Sequence, residues 1–296
     1  MSALQQMLLG IASSVSYKAI YGYGFTTVNV SITNLVSNTG VVSTDTTGVG
    51  TARAQLAASS YGTNKAIFGY GITSSPTNIT NLVSSTGVVS TDTTGVGSSR
   101  YVLAASGYGT DKAIFGYGYT SGPVSMTNLV SNAGVVATDT TGVGTARYGI
   151  AAAGYGTDKA IFGYGSGLSS TTNLVSNTGV VSTNTTGVGT ARYYLAATRY
   201  GTDKAIFGYG LVDINVSMTN LVSNTGVVAT DTTGVGTERY GLAAAGYGTG
   251  KAIFGYGDSG SATAITNLVS NTGVVSTDTT GVGTARHVLA AASYGS

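Results

Sequence analysis

The chain has 296 residues, of which 46 are glycine, 8% are charged and none is cysteine, and its 13 basic and 11 acidic residues leave a formal net charge of +2. So small a net charge provides no basic field for a nucleic-acid backbone or an anionic membrane, and we expect neither partner. Without cysteine, disulfides, thiolate nucleophiles and zinc–thiolate sites are excluded.

Residues 1–16 are predicted to form a separate N-terminal segment. This segment lacks the positive region of a signal peptide, and its apolar run is too short to cross a bilayer, so no membrane insertion is expected. Four apolar residues recur at helical spacing and predict a face suited to anchoring on a partner protein: Leu4, Met7, Leu8 and Ile11. Alternatively, this face caps the rest of the chain, or the segment supplies an extra strand.

A repeat occupies the remaining domain, residues 17–296. The lysine of K-A-I-[YF]-G-Y-G recurs at spacings of 47, 47, 47, 45 and 47 residues. The arginine that ends T-[DN]-T-T-G-V-G-x-x-R recurs at spacings of 47, 47, 45, 47 and 47 residues, at Arg53, Arg100, Arg147, Arg192, Arg239 and Arg286. Two independent markers therefore indicate six units of about 47 residues.

Each unit is predicted to be a meander of four antiparallel strands. In the unit from Arg147 to Gly189, the segments Y-G-I-A-A-A-G-Y-G, K-A-I-F-G-Y-G, T-N-L-V-S-N and G-V-V-S-T-N-T-T are rich in strand-forming and small residues. The turns between them contain glycine, asparagine or aspartate, which tolerate the positive φ of short hairpins. No sustained period of 3.6 residues appears in the repeats, so a helical solenoid is disfavoured.

Four strands in about 47 residues, six times over, predict an all-β fold, a six-bladed β-propeller of four-stranded antiparallel blades. The first strand of each unit is mostly alanine and glycine, as expected where strands converge near the axis. The C-terminal segment H-V-L-A-A-A-S-Y-G matches this first strand. We therefore expect it to close the first blade beside Lys18–Gly24.

The unit resembles a kelch repeat. The matching features are Arg147 before a small-residue strand at Ala151–Ala153, a strand that ends in Phe-Gly-x-Gly at Phe162–Gly165, and the hairpin before the next arginine. This resemblance covers nearly the whole chain and implies the propeller fold.

The amino-acid sequence of the repeat is also similar to that of repeat proteins of tailed, notably marine, phages. The segments concerned are G-Y-G-T-D-K-A-I-F-G-Y-G and T-N-L-V-S-N-T-G-V-V. The resemblance implies a virion component on the particle surface, which contacts other virion proteins through residues 1–16 and binds a glycan or protein of the host cell surface. Self-association into a homo-oligomer is left open.

Comparison of the six units separates framework from variable positions. The segments T-N-L-V-S, T-G-V-V and G-V-G are nearly constant, whereas the link between the second and third strands differs in every unit. The two residues after each junction arginine also vary among the units. Loops of a meander alternate between faces, so these two variable sets are expected on one face, and the candidate ligand-binding residues are Tyr101, Tyr119, Tyr148, Tyr193, Tyr194, Asp213, Tyr240, Asp258 and His287.

The recurring aspartates have a structural interpretation. Asp45, Asp92, Asp139, Asp231 and Asp278 lie eight residues before a junction arginine, with Asn184 as the one replacement. We expect them to hydrogen-bond a turn or pair with an arginine, which would hold the junction in register.

No enzyme activity, cofactor or metal site is predicted. His287 is the only histidine and Glu238 the only glutamate, so neither a Ser-His-Asp relay nor a multi-histidine metal site can be assembled. The T-D-T-T-G motif lacks the dense oxygen ligands of a calcium loop. Paired carboxylates for glycoside cleavage, such as Asp213 with Asp258, are the remaining catalytic option.

The variable loop face favours a non-enzymatic binding protein, and the resemblance to phage repeat proteins implies a virion component, such as a tail fibre or adhesin, that displays this face to a host glycan or protein. Tyrosine suits sugar recognition because its ring stacks and its hydroxyl forms hydrogen bonds. A structural decoration or baseplate protein that cements virion subunits is the first alternative. A carbohydrate-active hydrolase is the second.

Overall fold

A computed structural model describes residues 18–295 of the chain. Within this range the regular secondary structure consists of β-strands without any helix. The strands are β1 (Lys18–Gly22), β2 (Thr33–Val36), β3 (Ala57–Tyr61), β4 (Lys65–Gly69), β5 (Thr80–Val83), β6 (Ala104–Tyr108), β7 (Lys112–Gly116), β8 (Thr127–Val130), β9 (Ala151–Tyr155), β10 (Lys159–Gly163), β11 (Thr172–Val175), β12 (Ala196–Tyr200), β13 (Lys204–Leu211), β14 (Asn215–Val222), β15 (Ala243–Tyr247), β16 (Lys251–Asp258), β17 (Ala262–Val269) and β18 (Ala290–Tyr294).

The described strands form six antiparallel sheets of three strands each. Sheets 2 to 6 contain consecutive strands, in the orders β3-β4-β5, β6-β7-β8, β9-β10-β11, β12-β13-β14 and β15-β16-β17. The strand that begins with Lys-Ala-Ile is the middle strand of every sheet. The all-β repeat fold expected from the sequence is thus confirmed.

Sheet 1 joins the two ends of the chain. Its order is β18-β1-β2, with Lys18 opposite Tyr294 and Gly22 opposite Ala290. The prediction that the C-terminal strand completes the first unit beside Lys18 is therefore confirmed. Because β1 and β18 are far apart in sequence, this pairing closes a loop of nearly the whole chain.

The prediction of a continuous fourth strand in each unit is wrong. In sheet 2, Val83 bridges Val89 and Thr80 bridges Thr93, so four steps along this segment match three along β5. This mismatch is a β-bulge. At the bulge, the Leu82 amide donates to the hydroxyl of Ser90 at 3.0 Å rather than to a carbonyl. A side chain thus replaces a ladder bond, and each sheet has three strands plus a bulged segment.

The hydrophobic core lies between neighbouring sheets. Between sheets 2 and 3, for example, Ile67 and Tyr70 pack against Ala113 and Phe115. Successive side chains of a strand point to opposite faces. A neighbouring sheet covers each face, so each middle strand is buried on both. Equivalent clusters join sheets 3 and 4, 4 and 5, 5 and 6, 6 and 1, and 1 and 2. The first strands also touch in the cyclic order β3, β6, β9, β12, β15, β18 and back to β3.

A glycine in each middle strand makes room for an aromatic ring of the next sheet. A Cβ atom on Gly116 would lie 2.7 Å from Cζ of Phe162 in sheet 4, and the Phe162 ring is fully buried. Burial of such a ring contributes about 1.5–3 kcal/mol. The close approach of the sheets thus depends on a residue without a side chain at this position.

Each junction arginine is fully buried and joins two sheets. Arg100 donates from Nε to the Tyr117 carbonyl at 2.9 Å and from Nη2 to Oδ1 of Asn128 at 2.6 Å, both in the next sheet. Its guanidinium also lies over the ring of Tyr70 from the preceding sheet, 4.3 Å from the centroid. This arrangement satisfies a charge that would otherwise be costly to bury.

The recurring aspartates hold the junctions, as the sequence predicted. Asp139 accepts hydrogen bonds from the amide and hydroxyl of Ser98 in the preceding junction and from Nδ2 of Asn128. Partial burial raises the pKa of Asp139, but these hydrogen bonds outweigh burial and hold the pKa below its usual value. Its carboxylate also lies 3.7 Å from Nη1 of Arg100.

A closed ring of six main-chain hydrogen bonds, here called the axial ring, links the six sheets. Its members lie two positions after the junction arginines, and their φ angles are positive, from 47° to 62°. The donor–acceptor distances are 2.6–2.9 Å, with Val102 donating to Gln55, Gly149 to Val102, Tyr194 to Gly149, Gly241 to Tyr194, Val288 to Gly241 and Gln55 to Val288. Val288, which precedes β18 of sheet 1, is thereby bonded directly to Gln55, which precedes β3 of sheet 2.

Two ends of the sheets can now be distinguished. The varied face carries the junctions, the axial ring and the links between second and third strands. The turn face carries the turns between first and second strands, such as Gly62–Asn64. Five main-chain hydrogen bonds of 2.7–2.8 Å connect neighbouring turns of the described residues there, including Gly295 to Asn64. Lys18, where the described chain begins, lies at the turn face.

Candidate functional site

The variable positions lie together on the varied face, as the alternation of loops predicted. Tyr101, the residue after a junction arginine, pairs with Tyr119, the first residue of a link, through main-chain hydrogen bonds of 3.1 and 2.9 Å. Equivalent bridges join Ala54 to Ile72, Tyr193 to Leu211, Tyr240 to Asp258 and Phe25 to His287. The residue identities at these bridges differ, so one backbone frame presents different side chains.

Three tyrosines form the first aromatic group on this face. The ring centroids of Tyr101 and Tyr119 are 5.6 Å apart, and those of Tyr119 and Tyr148 are 5.3 Å apart in an edge-to-face arrangement. All three side chains are half-buried. Their rings are thus held by each other while part of each remains open to a ligand.

Tyr194 lies at the centre of the varied face because it belongs to the axial ring, where its φ is 53°. Its ring is 5.1 Å from Tyr193 and 6.0 Å from Tyr240. Burial raises the pKa of Tyr194 to about 12, and the nearby phenols of Tyr148, Tyr193, Tyr101 and Tyr240 add to the shift. Tyr193, Tyr194 and Tyr240 thus form a second aromatic group on this face.

His287 continues the aromatic set on the other side. Its ring is 6.3 Å from that of Tyr240 and 5.7 Å from that of Phe25. Burial lowers the pKa of His287, although the carboxylate of Asp258, 3.9 Å from Nδ1, opposes the shift. The buried Nδ1 atom has no hydrogen-bond partner among the described residues. A neutral histidine here presents an unsatisfied polar atom next to a carboxylate.

The two carboxylates of the predicted site occupy different settings. Asp258 is half-buried, and its Oδ1 accepts a hydrogen bond from the Gly260 amide at 2.8 Å. Asp213 is exposed in the loop between β13 and β14. The two loops touch through Asn215, which donates to the Asp258 carbonyl at 3.2 Å.

The aromatic candidates thus meet on one surface, whereas Asp213 lies at its edge. We call the aromatic residues Tyr101, Tyr119, Tyr148, Tyr193, Tyr194, Tyr240, His287 and Phe25 the aromatic cluster. Phe25 was missed by the sequence analysis, although its position as the first link residue matches Tyr119 and was a usable signal. The predicted anchoring residues Leu4, Met7, Leu8 and Ile11 lie outside the described residues.

Five of the six links share one backbone shape. After β1, β4 and β7, Phe25 bridges Asn29, Ile72 bridges Pro76 and Tyr119 bridges Pro123. In sheets 5 and 6 the equivalent pairs, Leu211 with Asn215 and Asp258 with Ala262, lie at the ends of the hairpins. The link of sheet 4 is two residues shorter than the others. The varied face therefore presents different side chains on nearly the same backbone frame.

Over residues 18–295, no group of three or more histidine, cysteine, aspartate and glutamate side chains is placed to hold a metal ion. The same range contains no helix that could cross a membrane.

The chain was also compared with known proteins. No protein-family model and no curated protein matches it. The resemblances to kelch repeats and to phage repeat proteins therefore stay predictions, and the function must be argued from the geometry of the varied face.

Proposed function

We propose that this chain is a non-enzymatic recognition protein that binds a carbohydrate through the aromatic cluster of its varied face. The contacts among half-buried tyrosines carry this proposal, because Tyr119 with Tyr148 and Tyr194 with Tyr240 join neighbouring sheets. Rings held in place by their neighbours stack on sugar faces at low cost in side-chain entropy, and their hydroxyls hydrogen-bond sugar hydroxyls.

The proposed architecture is a six-bladed β-propeller. Three features support it: the cyclic contacts of the six first strands, the pairing of β1 with β18, and the axial ring. In such a fold the sheets radiate from the axis, and six links reach one circular surface. Side chains from units distant in sequence, such as Phe25 and His287, then become neighbours.

The orientation of the chain ends suits a role as a surface protein. Lys18, the first described residue, lies at the turn face, on the side away from the aromatic cluster. An anchor on that side leaves the varied face pointing outward. We propose attachment to other proteins of a phage particle through Leu4, Met7, Leu8 and Ile11, with a host-surface glycan as the ligand; the phage context rests on the resemblance of the repeat.

The repeats themselves supply substitutions that the fold tolerates. The bridge Tyr101–Tyr119 corresponds to Ala54–Ile72 in sheet 2, so Tyr101→Ala with Tyr119→Ile copies a pair already present. Tyr194 corresponds to Gly149 and Gly241 in the axial ring, so Tyr194→Gly also preserves the positive φ. The triple variant removes aromatic rings without removing a framework residue.

The proposal is tested by applying the full-length protein and this triple variant to a glycan array and to host cells. A matched control, Val88→Ser with Val135→Ser, changes two exposed valines away from the varied face. We expect the wild type and the control to bind the same glycans and the triple variant to lose binding at least tenfold, because sugar–ring stacking contacts and hydrogen bonds from the tyrosine hydroxyls disappear. Equal binding by all three proteins, or no binding by the wild type, would reject the proposal.

A further inference from the structure

A cavity of about 430 Å³ lies between the first strands of the six sheets, and we call it the central cavity. Residues of the turn face, such as Thr63 and Thr110, line its mouth. A smaller cavity of about 80 Å³ beside the axial ring shares no lining residue with it. Leu56 and its equivalents line the smaller cavity and are buried, so they separate the two. The central cavity is therefore a blind pocket that opens away from the aromatic cluster.

The wall of the central cavity consists of six strand edges. Each first strand has a strand partner on one side only, which is the middle strand of its own sheet. Alternate residues of such an edge strand direct both N–H and C=O away from the partner strand. Ser60 and its equivalent Gly246 are residues of this kind, because their carbonyls accept hydrogen bonds from Ser59 at 3.1 Å and from Ser293 at 2.8 Å. The wall thus offers main-chain donors and acceptors on every side.

The side chains on this wall are small, with one exception. One layer consists of alanines from all six units: Ala58, Ala105, Ala152, Ala197, Ala244 and Ala291. The layer nearer the mouth contains Ser60, Gly107, Gly154, Arg199, Gly246 and Ser293. Alanine, glycine and serine cover little of the backbone, so the polar groups of the strand edges are accessible to a small molecule inside the cavity.

Arg199, the exception, lies against the wall. It donates from Nη2 to the Gly156 carbonyl at 3.0 Å, and its Nε lies 3.5 Å from the Gly154 carbonyl. A Cβ on Gly154 would lie 3.2 Å from Nη2, so glycine at this position leaves room for the guanidinium. Arg199 therefore bonds to the neighbouring strand as Ser293 does, and it does not divide the cavity.

Charges of both signs line the central cavity. They belong to Asp111, Asp158, Lys112, Arg199 and Lys251. The carboxylate of Asp111 lies 3.4 Å from the ammonium group of Lys112, and that of Asp158 lies 3.2 Å from Lys159, which is outside the lining. Because acidic and basic groups are mixed, neither an anion nor a cation is favoured. All of these groups can form hydrogen bonds with neutral hydroxyls.

We propose that the central cavity binds a small neutral polyol, such as a monosaccharide, a disaccharide or a cyclitol. Every hydroxyl both donates and accepts, so a polyol can pair with N–H and C=O groups that surround it on all sides. An extended peptide pairs along two opposite edges and would leave the other strand edges unpaired.

The mouth and the volume fit such a ligand. Threonine hydroxyls from five of the turns line the mouth, at Thr63, Thr110, Thr157, Thr202 and Thr249. The volume of about 430 Å³ is within the range of small-molecule sites. This site lies apart from the aromatic cluster and does not rest on carbohydrate binding at the varied face.

The test is isothermal titration of the full-length protein with glucose, sucrose and myo-inositol at millimolar concentrations. Cyclohexanol is the comparison probe, since it has a six-membered ring with a single hydroxyl. Ala105→Leu with Ala244→Leu fills the cavity from two sheets that lie opposite each other in the cyclic order. Val88→Leu with Val227→Leu is the matched control, because it places two leucines at exposed positions outside the lining.

We expect at least one polyol to bind, the cavity-filling variant to weaken that binding at least tenfold, and the control to leave it unchanged. Ala105→Leu alone is the milder variant and should weaken binding less. Cyclohexanol should bind at least tenfold more weakly than the polyol, because one hydroxyl pairs with few groups of the wall. Circular dichroism melting establishes that each variant is folded.

The variant Tyr101→Ala with Tyr119→Ile and Tyr194→Gly separates this site from the varied face, and we expect it to bind the polyol like the wild type. Loss of polyol binding in this variant but not in the cavity-filling one would place the sugar on the varied face and overturn the proposal. Absence of polyol binding, unchanged binding by folded Ala105→Leu and cavity-filling variants, or cyclohexanol binding as tight as that of the polyol would also overturn it.

Discussion

Arg286 donates a hydrogen bond from Nη2 to Oδ1 of Asn34 at 2.7 Å, although the two residues are 252 positions apart in the sequence. The same bond joins Arg53 to Asn81 and Arg100 to Asn128 between units that are adjacent in the sequence. Asp45 likewise accepts hydrogen bonds from the amide and hydroxyl of Thr284, as Asp139 does from Ser98. The contact between the last unit and the first is thus built like every other contact between units.

Replacement of Asn34 by alanine is expected to destabilise the protein by about 1.5–3 kcal/mol, because a buried guanidinium loses a hydrogen-bond acceptor. Asn81→Ala removes the equivalent acceptor inside the chain. If sheets 1 and 6 are joined as the other sheets are, the two variants lose similar stability in urea unfolding. A normal loss for Asn81→Ala with none for Asn34→Ala would contradict the closing contact.

Deletion of Val288–Ser296 removes β18 and leaves the edge of β1 unpaired. Exposed strand edges and the uncovered side chains of the core promote aggregation. We expect a large fall in solubility and in melting temperature, measured by size-exclusion chromatography and thermal melting. A truncated protein with the melting curve of the full chain would show that β18 does not close the fold.

Gly116→Ala is expected to destabilise the protein by about 1–3 kcal/mol, because the added methyl group meets the buried ring of Phe162 at 2.7 Å. Gly122 is the matched control, since nothing lies within 4 Å of a Cβ at that position. Gly122→Ala should leave stability nearly unchanged in the same denaturant titration. Equal effects of the two substitutions would argue against the close approach of sheets 3 and 4.

Acid is expected to weaken the junctions. The folded-state pKa values of Asp45, Asp92, Asp139, Asp231 and Asp278 lie below the ordinary value, because hydrogen bonds to each carboxylate outweigh its partial burial. A carboxyl group with a lowered folded pKa stabilises the fold above its unfolded pKa of about 3.9 and loses that contribution as pH falls through the folded pKa. Stability should therefore fall below about pH 4.

Asp139→Asn provides the control for this pH dependence. Asn184 occupies the equivalent position in the next unit, where it accepts from the Thr145 amide at 3.1 Å and donates to the Thr145 hydroxyl at 2.7 Å. The variant should be less stable than the wild type near pH 7, and the difference in melting temperature should shrink toward pH 3 because asparagine does not titrate. A difference that stays constant over this range would contradict the assigned role of Asp139.

The sequence predicted best those features whose residue types recur in every repeat unit. The spacing of lysine and arginine predicted six units, and the match of H-V-L-A-A-A-S-Y-G to the other first strands predicted the pairing of β18 with β1. The grouping of Tyr101 with Tyr119 followed from the alternation of loops. These features depend on residue types that recur.

Features that depend on backbone geometry alone were not predicted. The axial ring contains Gln55, Val102, Gly149, Tyr194, Gly241 and Val288, which share a positive φ but no side-chain chemistry. Only the two glycines signal that conformation in the sequence. The continuous fourth strand was wrong for a related reason, since the bulge occurs both with serine, as at Ser90, and with alanine, as at Ala137, so no residue type at that position signals it.

The six sheets follow one another in a closed order, and a single cross-link between β1 and β18 tests this closure most directly. Ala19 lies opposite Ser293 in sheet 1, and residues paired in this way have Cα separations of about 4.5–5.5 Å, within the range of disulfides. Because the chain has no cysteine, Ala19→Cys with Ser293→Cys introduces the only two thiols. We predict that mild oxidation of the folded monomer joins them within one chain, seen as a reducible shift in gel mobility that is absent when the oxidation is done in urea. Two freely reactive thiols in the folded protein, or cross-links only between chains, would contradict closure within one chain.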